Sequence, residues 1–269
     1  MTTFTNGAGA TLCARDVGDG PVVLALHGAY STHHELDSTL EALLDPEPGC
    51  RWIFPDLAGM GHSPVHPSVA STNDLVDLLD DFVDELIGAS PFAVVGHSYG
   101  GHLARAVAAR RPQQVAGLAL ICPLVPEARH PEPRTVVRSD PGVLDLIDPE
   151  LRDEYRGYFV VRTAATAERF AAAVAPSIGR ADAEAVARMM GAPKVDPDPD
   201  LTPFERPTLI VAGRHDSATG YRGPMGLVDK YPRATLAVLS DAGHALPHEQ
   251  PELLGALLSD WWSALDMTR

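Results

Sequence analysis

The chain has 269 residues, 45% hydrophobic and 21% charged, which fits one large globular α/β domain with room for an insertion. Its 36 acidic residues outnumber 21 basic ones, and a net charge of −15 speaks against nucleic acid or an anionic membrane surface as a partner. Residues 1–6 hold neither a basic region nor an apolar core, no apolar run could span a bilayer, and the three cysteines are scattered without a CxxC; the expectation is a cytoplasmic protein with no leader, disulfide framework or zinc site.

Residues 11–17 read as an edge strand, turned at Gly18-Asp19-Gly20-Pro21. Residues 22–26 are a continuous apolar run, hence a buried strand, and end in His27-Gly28-Ala29-Tyr30-Ser31. A helix over 35–44, a strand over 51–54 and a glycine-punctuated loop over 55–63 follow. Asn73 is placed to cap a helix with Leu75, Leu79, Phe82 and Leu86 on one face. Residues 92–95 form a short buried strand, 99–111 a helix with Leu103, Ala104, Val107 and Ala108 on one face, and Pro112 stops it. Residues 115–122 are another apolar strand. Strands alternating with helices define an α/β fold, with a mostly parallel central sheet flanked by helices; ligands of such sheets bind at the carboxyl ends of the strands.

That alternation breaks over 123–206, which holds 11 of the 24 prolines and no convincing buried strand. Asp148 as N-cap and Pro149 at the first helical position start a helix over 150–162. Helices over 167–175 and 183–190 follow, and 193–203 is a return linker. Residues 123–206 are thus expected to be a helical cap over the strand ends, inserted between core segments 1–122 and 207–269, where it would exclude water and shape a pocket. The sheet pattern resumes with strands over 207–212 and 235–239, separated by a helix over 225–230. The second strand leads into Asp241-Ala242-Gly243-His244, and a last helix covers 249–265.

The chemistry centres on Gly96-His97-Ser98-Tyr99-Gly100, a G-x-S-x-G between strand and helix. Two glycines flank a turn too tight for side chains, and it pushes the Ser98 hydroxyl over the sheet edge. The free N–H groups and positive end of the following helix face any negative charge that develops there. A serine hydroxyl needs a base and a group to orient that base. Of 11 histidines, His244 follows the last strand and can hang over the same edge. His97 should point away, His215 lies too close to the acid candidate, and His248 should be at the surface. Asp216 follows a strand end and is the acid; Asp241 is a turn residue, and Asp56 holds its glycine loop. Ser98, Asp216, His244 is the hydrolase order for this motif.

These pieces together resemble the α/β-hydrolase superfamily over residues 11–265. The resemblance implies an oxyanion hole made by the backbone N–H groups of Ala29 and Tyr99. A His-Gly-Gly-Gly run is absent, because Ala29 and Tyr30 follow Gly28. A serine nucleophile argues against the haloalkane dehalogenases and epoxide hydrolases of this fold, which use aspartate there. The expected activity is a serine hydrolase acting on a small carboxylic ester or related acyl compound. A lactonase, a carbon–carbon bond hydrolase, a cofactor-free haloperoxidase and a non-turnover ligand receptor stay open. The implied partner is a small-molecule substrate, with no metal and no cofactor. Tyr30 and His102 are candidates to line its pocket, His102 equally to fill the core. In the predicted helix over 150–162, Tyr155, Phe159 and Arg162 share a face expected to cover Ser98 and set acyl size, with Tyr158 off that face.

Overall fold

Alternate residues of the central strands are apolar on both faces, and this sorts the chain into two cores. In β3 (Val22–Leu26), Val22, Leu24 and Leu26 join one core, and Val23 and Ala25 the other. The computed structural model describes residues 1–44 and 49–267. The remaining strands of the main sheet are β1 (Thr2–Thr5), β2 (Thr11–Val17), β4 (Arg51–Pro55), β5 (Phe92–His97), β6 (Val115–Ile121), β9 (Thr208–Gly213) and β10 (Ala234–Leu239), ordered β1-β2-β4-β3-β5-β6-β9-β10. β2 runs antiparallel to β1 and β4; all other pairs are parallel. Helices α2 (Thr72–Leu86) and α3 (Tyr99–Arg110) cover the first core, α1 (His34–Leu43) and α9 (Pro251–Ser263) the second. Among the described residues no helix is long and apolar enough to cross a membrane.

Two local expectations are corrected. The sheet edge is β1, not β2: only Phe4 among its four residues is buried, edge-on to Phe82 with ring centroids 5.8 Å apart. So short a strand carries almost no periodic signal. The cap of α2 is Ser71, not Asn73. The Ser71 hydroxyl accepts the Asp74 N–H while the Asp74 carboxylate accepts the Ser71 N–H, a reciprocal capping box. Asn73 instead accepts from Arg110 at 2.8 Å. The last predicted helix is α9 (Pro251–Ser263), which Pro251 opens after a separate short helix, α8 (Leu246–Glu249).

Residues 123–206 contain a two-residue ladder of β7 (Arg138–Ser139) with β8 (Val161–Arg162), and helices α4 (Arg152–Tyr158), α5 (Ala164–Arg169) and α6 (Ala183–Gly191). Asp148 does cap a turn at Pro149, through the Glu150 N–H. The helix expected over 150–162 stops at Tyr158, however. Phe159 is extended (φ −96°, ψ 132°), and the N–H groups of Val160 and Val161 go to the Glu249 carboxylate at 2.6 and 3.0 Å. Gly157 and two β-branched valines make that helix end weak, and the buried acceptor ends it. Past α5 the backbone widens into a π-helical turn over Phe170–Val174. Tyr155, Phe159 and Phe170 pack with Val143 and Ile147 into a small core of their own, resting on Ala245. Between β9 and β10 lie α7 (Arg222–Gly226) and a 3-10 turn at Leu227–Asp229.

Candidate active site

Ser98 sits between β5 and α3 at φ 55°, ψ −119°, a conformation costly for any residue with a side chain. A Cβ on Gly96 would lie 2.3 Å from the Gly100 carbonyl oxygen, and one on Gly100 2.0 Å from the Leu26 carbonyl oxygen. The turn therefore closes only with glycine at both positions. The Ser98 N–H donates to Ile121 O at 3.0 Å, and its carbonyl accepts from Gly101 and Leu124.

The Ser98 hydroxyl lies 2.9 Å from His244 Nε2, and His244 Nδ1 lies 2.8 Å from an Asp216 oxygen. Asp216 is fully buried and also accepts the N–H groups of Ala218 and Thr219 and the Thr219 hydroxyl. Burial opposes its charge, but His244 and these donors hold its carboxyl well below the ordinary range. Burial would likewise lower the His244 pKa; the charges of Asp216, and less so of Glu35 and Glu249, raise it instead. The chain serine–histidine–carboxylate can therefore pass a proton from the hydroxyl to the imidazole and hold the imidazolium that results.

Asp241 is an exposed turn residue. Asp56 is fully buried and accepts the backbone N–H and ring Nδ1 of both His33 and His62, which fixes its loop. His33, Asp56 and His62 have ligand spacing for a metal, as do His97, Cys122 and His244. The first carboxylate is already filled by four donors, however, and in the second set burial keeps the Cys122 thiol protonated.

Two histidine placements are corrected. His97 does not point away. It lines the same cavity as Ser98, its Nε2 3.1 Å from the His244 carbonyl oxygen. His248 is not at the surface but fully buried, with neither ring nitrogen partnered, and burial pushes it down to about 4.

A cavity of about 300 Å³ opens beside Ser98 and His244. Ala29, Tyr30, Phe170, Val174 and Ile178 give it apolar walls, and Ser31, Glu35, His97, Ser177 and Tyr158 supply polar groups. Of the expected pocket residues, the structure brings only Tyr30 to this cavity. His102 lies elsewhere, bonded to Pro193 O at 2.8 Å beside Arg105. Tyr155 and Phe159 stack on each other inside the insertion's own core, with the Tyr155 hydroxyl 2.8 Å from that of Thr166. The Arg162 guanidinium caps the carbonyls of Phe159 and Arg156. The reason is the early end of α4: its cavity face carries Glu154, Gly157 and Tyr158. The sequence reading missed Glu35 and placed Tyr158 off the site. Glu35 could have been suspected as an acid in the first turn of a helix that starts at the end of a buried strand. Ala29 lines the cavity next to Ser98, and Tyr99 begins α3 with its hydroxyl 3.0 Å from Thr72 Oγ1.

A sheet of this topology, with a serine at a strand-to-helix turn facing a histidine and a carboxylate at two later strand ends, belongs to one class. The chain is a member of the α/β-hydrolase family, whose sequence pattern matches residues 22–257. It is 27% identical over 278 aligned positions to the pimeloyl-[acyl-carrier protein] methyl ester esterase of Shewanella woodyi, covering 94% of this chain and 98% of that protein. A haloalkane dehalogenase of Bradyrhizobium diazoefficiens is 36% identical over 115 residues, 42% of this chain; this chain thus spans only 36% of the length of that relative. Among solved structures, an α/β superfamily hydrolase from Oenococcus oeni superposes with a TM-score of 0.86 at 22% identity, over 98% of this chain and 99% of that one. A thermophilic esterase from Thermogutta terrifontis does so with 0.70 at 24% identity, over 97% of each chain.

Proposed function

We propose that this hydrolase is a serine carboxylesterase, cleaving a small carboxylic ester or related acyl compound through an acyl-serine intermediate. The observation that carries the reading is the continuous hydrogen-bonded chain from Ser98 through His244 to Asp216, facing a mostly apolar cavity. Ser98 attacks the carbonyl carbon as His244 takes its proton. The N–H groups of Ala29 and Tyr99 hold the oxyanion. His244 then protonates the leaving alkoxide, and water, deprotonated by the same imidazole, cleaves the acyl-enzyme. Residues 123–206 act as the cap that keeps bulk water out. The esterase names among the similar proteins favour this bond class. Dehalogenation is disfavoured chemically: alkylation of a serine leaves an ether, which water at the same site cannot reopen. No metal or cofactor takes part, and three cysteines without a disulfide suit a cytoplasmic setting.

The test is repeated release of product from excess p-nitrophenyl esters of increasing chain length, with Ser98→Ala as the blank. A phosphonate that mimics the tetrahedral intermediate should label Ser98 and stop turnover. One equivalent released and no more, across esters and lactones, would favour a ligand receptor on this fold instead.

A further inference from the structure

We propose that Glu35 and His97 form a donor-binding subsite in the wall of the Ser98 cavity, selecting esters with a hydroxyl on one limb and rejecting those with a carboxylate there. This rests on the ester-hydrolase reading and names a substrate class within it.

Glu35 follows the cavity-lining residues Ala29, Tyr30 and Ser31 and reaches the same cavity, yet only 4% of its surface is exposed. Its carboxylate accepts the Tyr158 hydroxyl and is stabilised by the Ser31 hydroxyl. Burial opposes ionisation, but the carboxyl is held below the ordinary range, with the Ser31 and Tyr158 hydroxyls donating to its charged form, so it is a carboxylate at neutral pH. No other carboxylate lining the cavity is buried, since Glu154 is exposed.

His97 Nδ1 lies 3.8 Å from the nearer Glu35 oxygen, too far for a hydrogen bond. The other ring nitrogen, Nε2, faces the His244 carbonyl oxygen at 3.1 Å. A carbonyl only accepts, so Nε2 carries the proton and Nδ1 a bare lone pair. Burial lowers the imidazole's pKa, which keeps the ring in that neutral form. Nδ1 is buried with no hydrogen-bond partner. Nδ1 therefore faces a carboxylate oxygen whose one donor is the Tyr158 hydroxyl, with no donor between the two acceptors, an arrangement that asks for one from outside.

The place is right for substrate. A Cβ on Gly28 would lie 3.4 Å from His97 Nδ1 and 3.7 Å from the Ser98 hydroxyl oxygen, so the pair and the nucleophile flank the same glycine. A hydroxyl on an ester whose carbonyl rests on Ser98 can donate to this pair. An ester of the same size without one leaves His97 Nδ1 unpaired and the charged Glu35 oxygen with the Tyr158 hydroxyl alone, and a carboxylate meets a like charge out of water.

The experiment compares kcat/KM for methyl butyrate, methyl 3-hydroxybutyrate, 2-hydroxyethyl butyrate and monomethyl succinate. The two hydroxyl esters place the donor on the acyl and on the alcohol limb and so tell which limb enters the subsite. One of them should exceed methyl butyrate by about tenfold or more, with the succinate about tenfold below it. In Glu35→Gln the hydroxyl-to-plain ratio should fall and the succinate-to-plain ratio should rise, both toward one. Tyr158→Phe keeps the carboxylate and should keep the preference. Wild-type ratios near one overturn the subsite whether or not Glu35→Gln folds, as does an imidazolium at His97, which would leave a neutral ion pair and no call for a donor. Turnover of methyl butyrate without preference removes this inference alone. No turnover of any of the four esters removes it together with the ester-hydrolase reading.

Discussion

The carboxylate of Glu249 holds the backbone N–H of Gly243, the residue before His244, at 2.6 Å. Its other oxygen takes the N–H groups of Val160 and Val161. One buried side chain thus ties the insertion to the loop that presents the base. Glu249 is a positioning residue, and Glu249→Gln, of equal length, should show it. The amide can no longer accept on both sides, so its NH₂ must face a backbone N–H. We expect kcat to fall about tenfold or more with KM changed by less than about threefold. Separate kcat and KM values with folding checked by circular dichroism decide it; an unchanged kcat removes the positioning role.

The three candidate carboxylates should separate cleanly. Asp216→Asn should fold and lose on the order of 10⁴-fold in kcat, because the imidazole loses its orientation and counter-charge. Asp241→Asn, at an exposed turn, should match wild type. Asp56→Asn should act chiefly on stability, since its carboxylate fills four donors in the core. Thermal melts beside kcat for the three variants make the comparison.

The acid side of the rate profile follows from the charges on His244. The base must be neutral to accept the serine proton, and Asp216, with Glu35 and Glu249 behind it, favours the protonated ring against burial. Activity is therefore present above the raised pKa and lost as pH falls through it. The kcat/KM profile should bend above the ordinary imidazole value of about 6.5. A flat profile from pH 5 to pH 8 in folded protein would remove His244 from the role.

Acyl size should answer to Gly157, not to Phe159. Nothing lies within 4 Å of a Cβ placed on Gly157, which lines the cavity from the last turn of α4. Gly157→Ala should stabilise that helix by about 0.5–1 kcal/mol and cut kcat/KM for long acyl chains more than for acetyl. Phe159→Ala would instead hollow the insertion's own core, at about 3–5 kcal/mol. Chain-length series and melting temperatures on both variants distinguish the two.

The sheet was legible because β3, β5, β6 and β9 are largely apolar runs, buried along their whole length. Ser98, Asp216 and His244, which the sequence placed at strand ends, are brought within hydrogen-bond reach of one another, Ser98 after β5, Asp216 after β9 and His244 after the less buried β10. The cavity wall was not legible. The end of α4 depends on Glu249, about ninety residues on, and local spacing holds no trace of that acceptor. His97 and Glu35 come together only when β3 and β5 pair and α1 folds back over them, so neither neighbourhood signals the other. His248 looked like a surface residue because groups distant in sequence gather around it, among them the Phe159 ring at 6.0 Å and Arg169, which donates to its carbonyl.

The backbone at Ser98 has a consequence for what keeps a serine there. Its φ of 55° is one that glycine adopts at little cost and serine does not. Ser98→Gly should therefore melt higher than the wild-type chain while losing the reaction. A population screened only for abundance would drift away from the hydroxyl at this position. One screened for ester cleavage would retain it and carry the lower melting point as a permanent handicap.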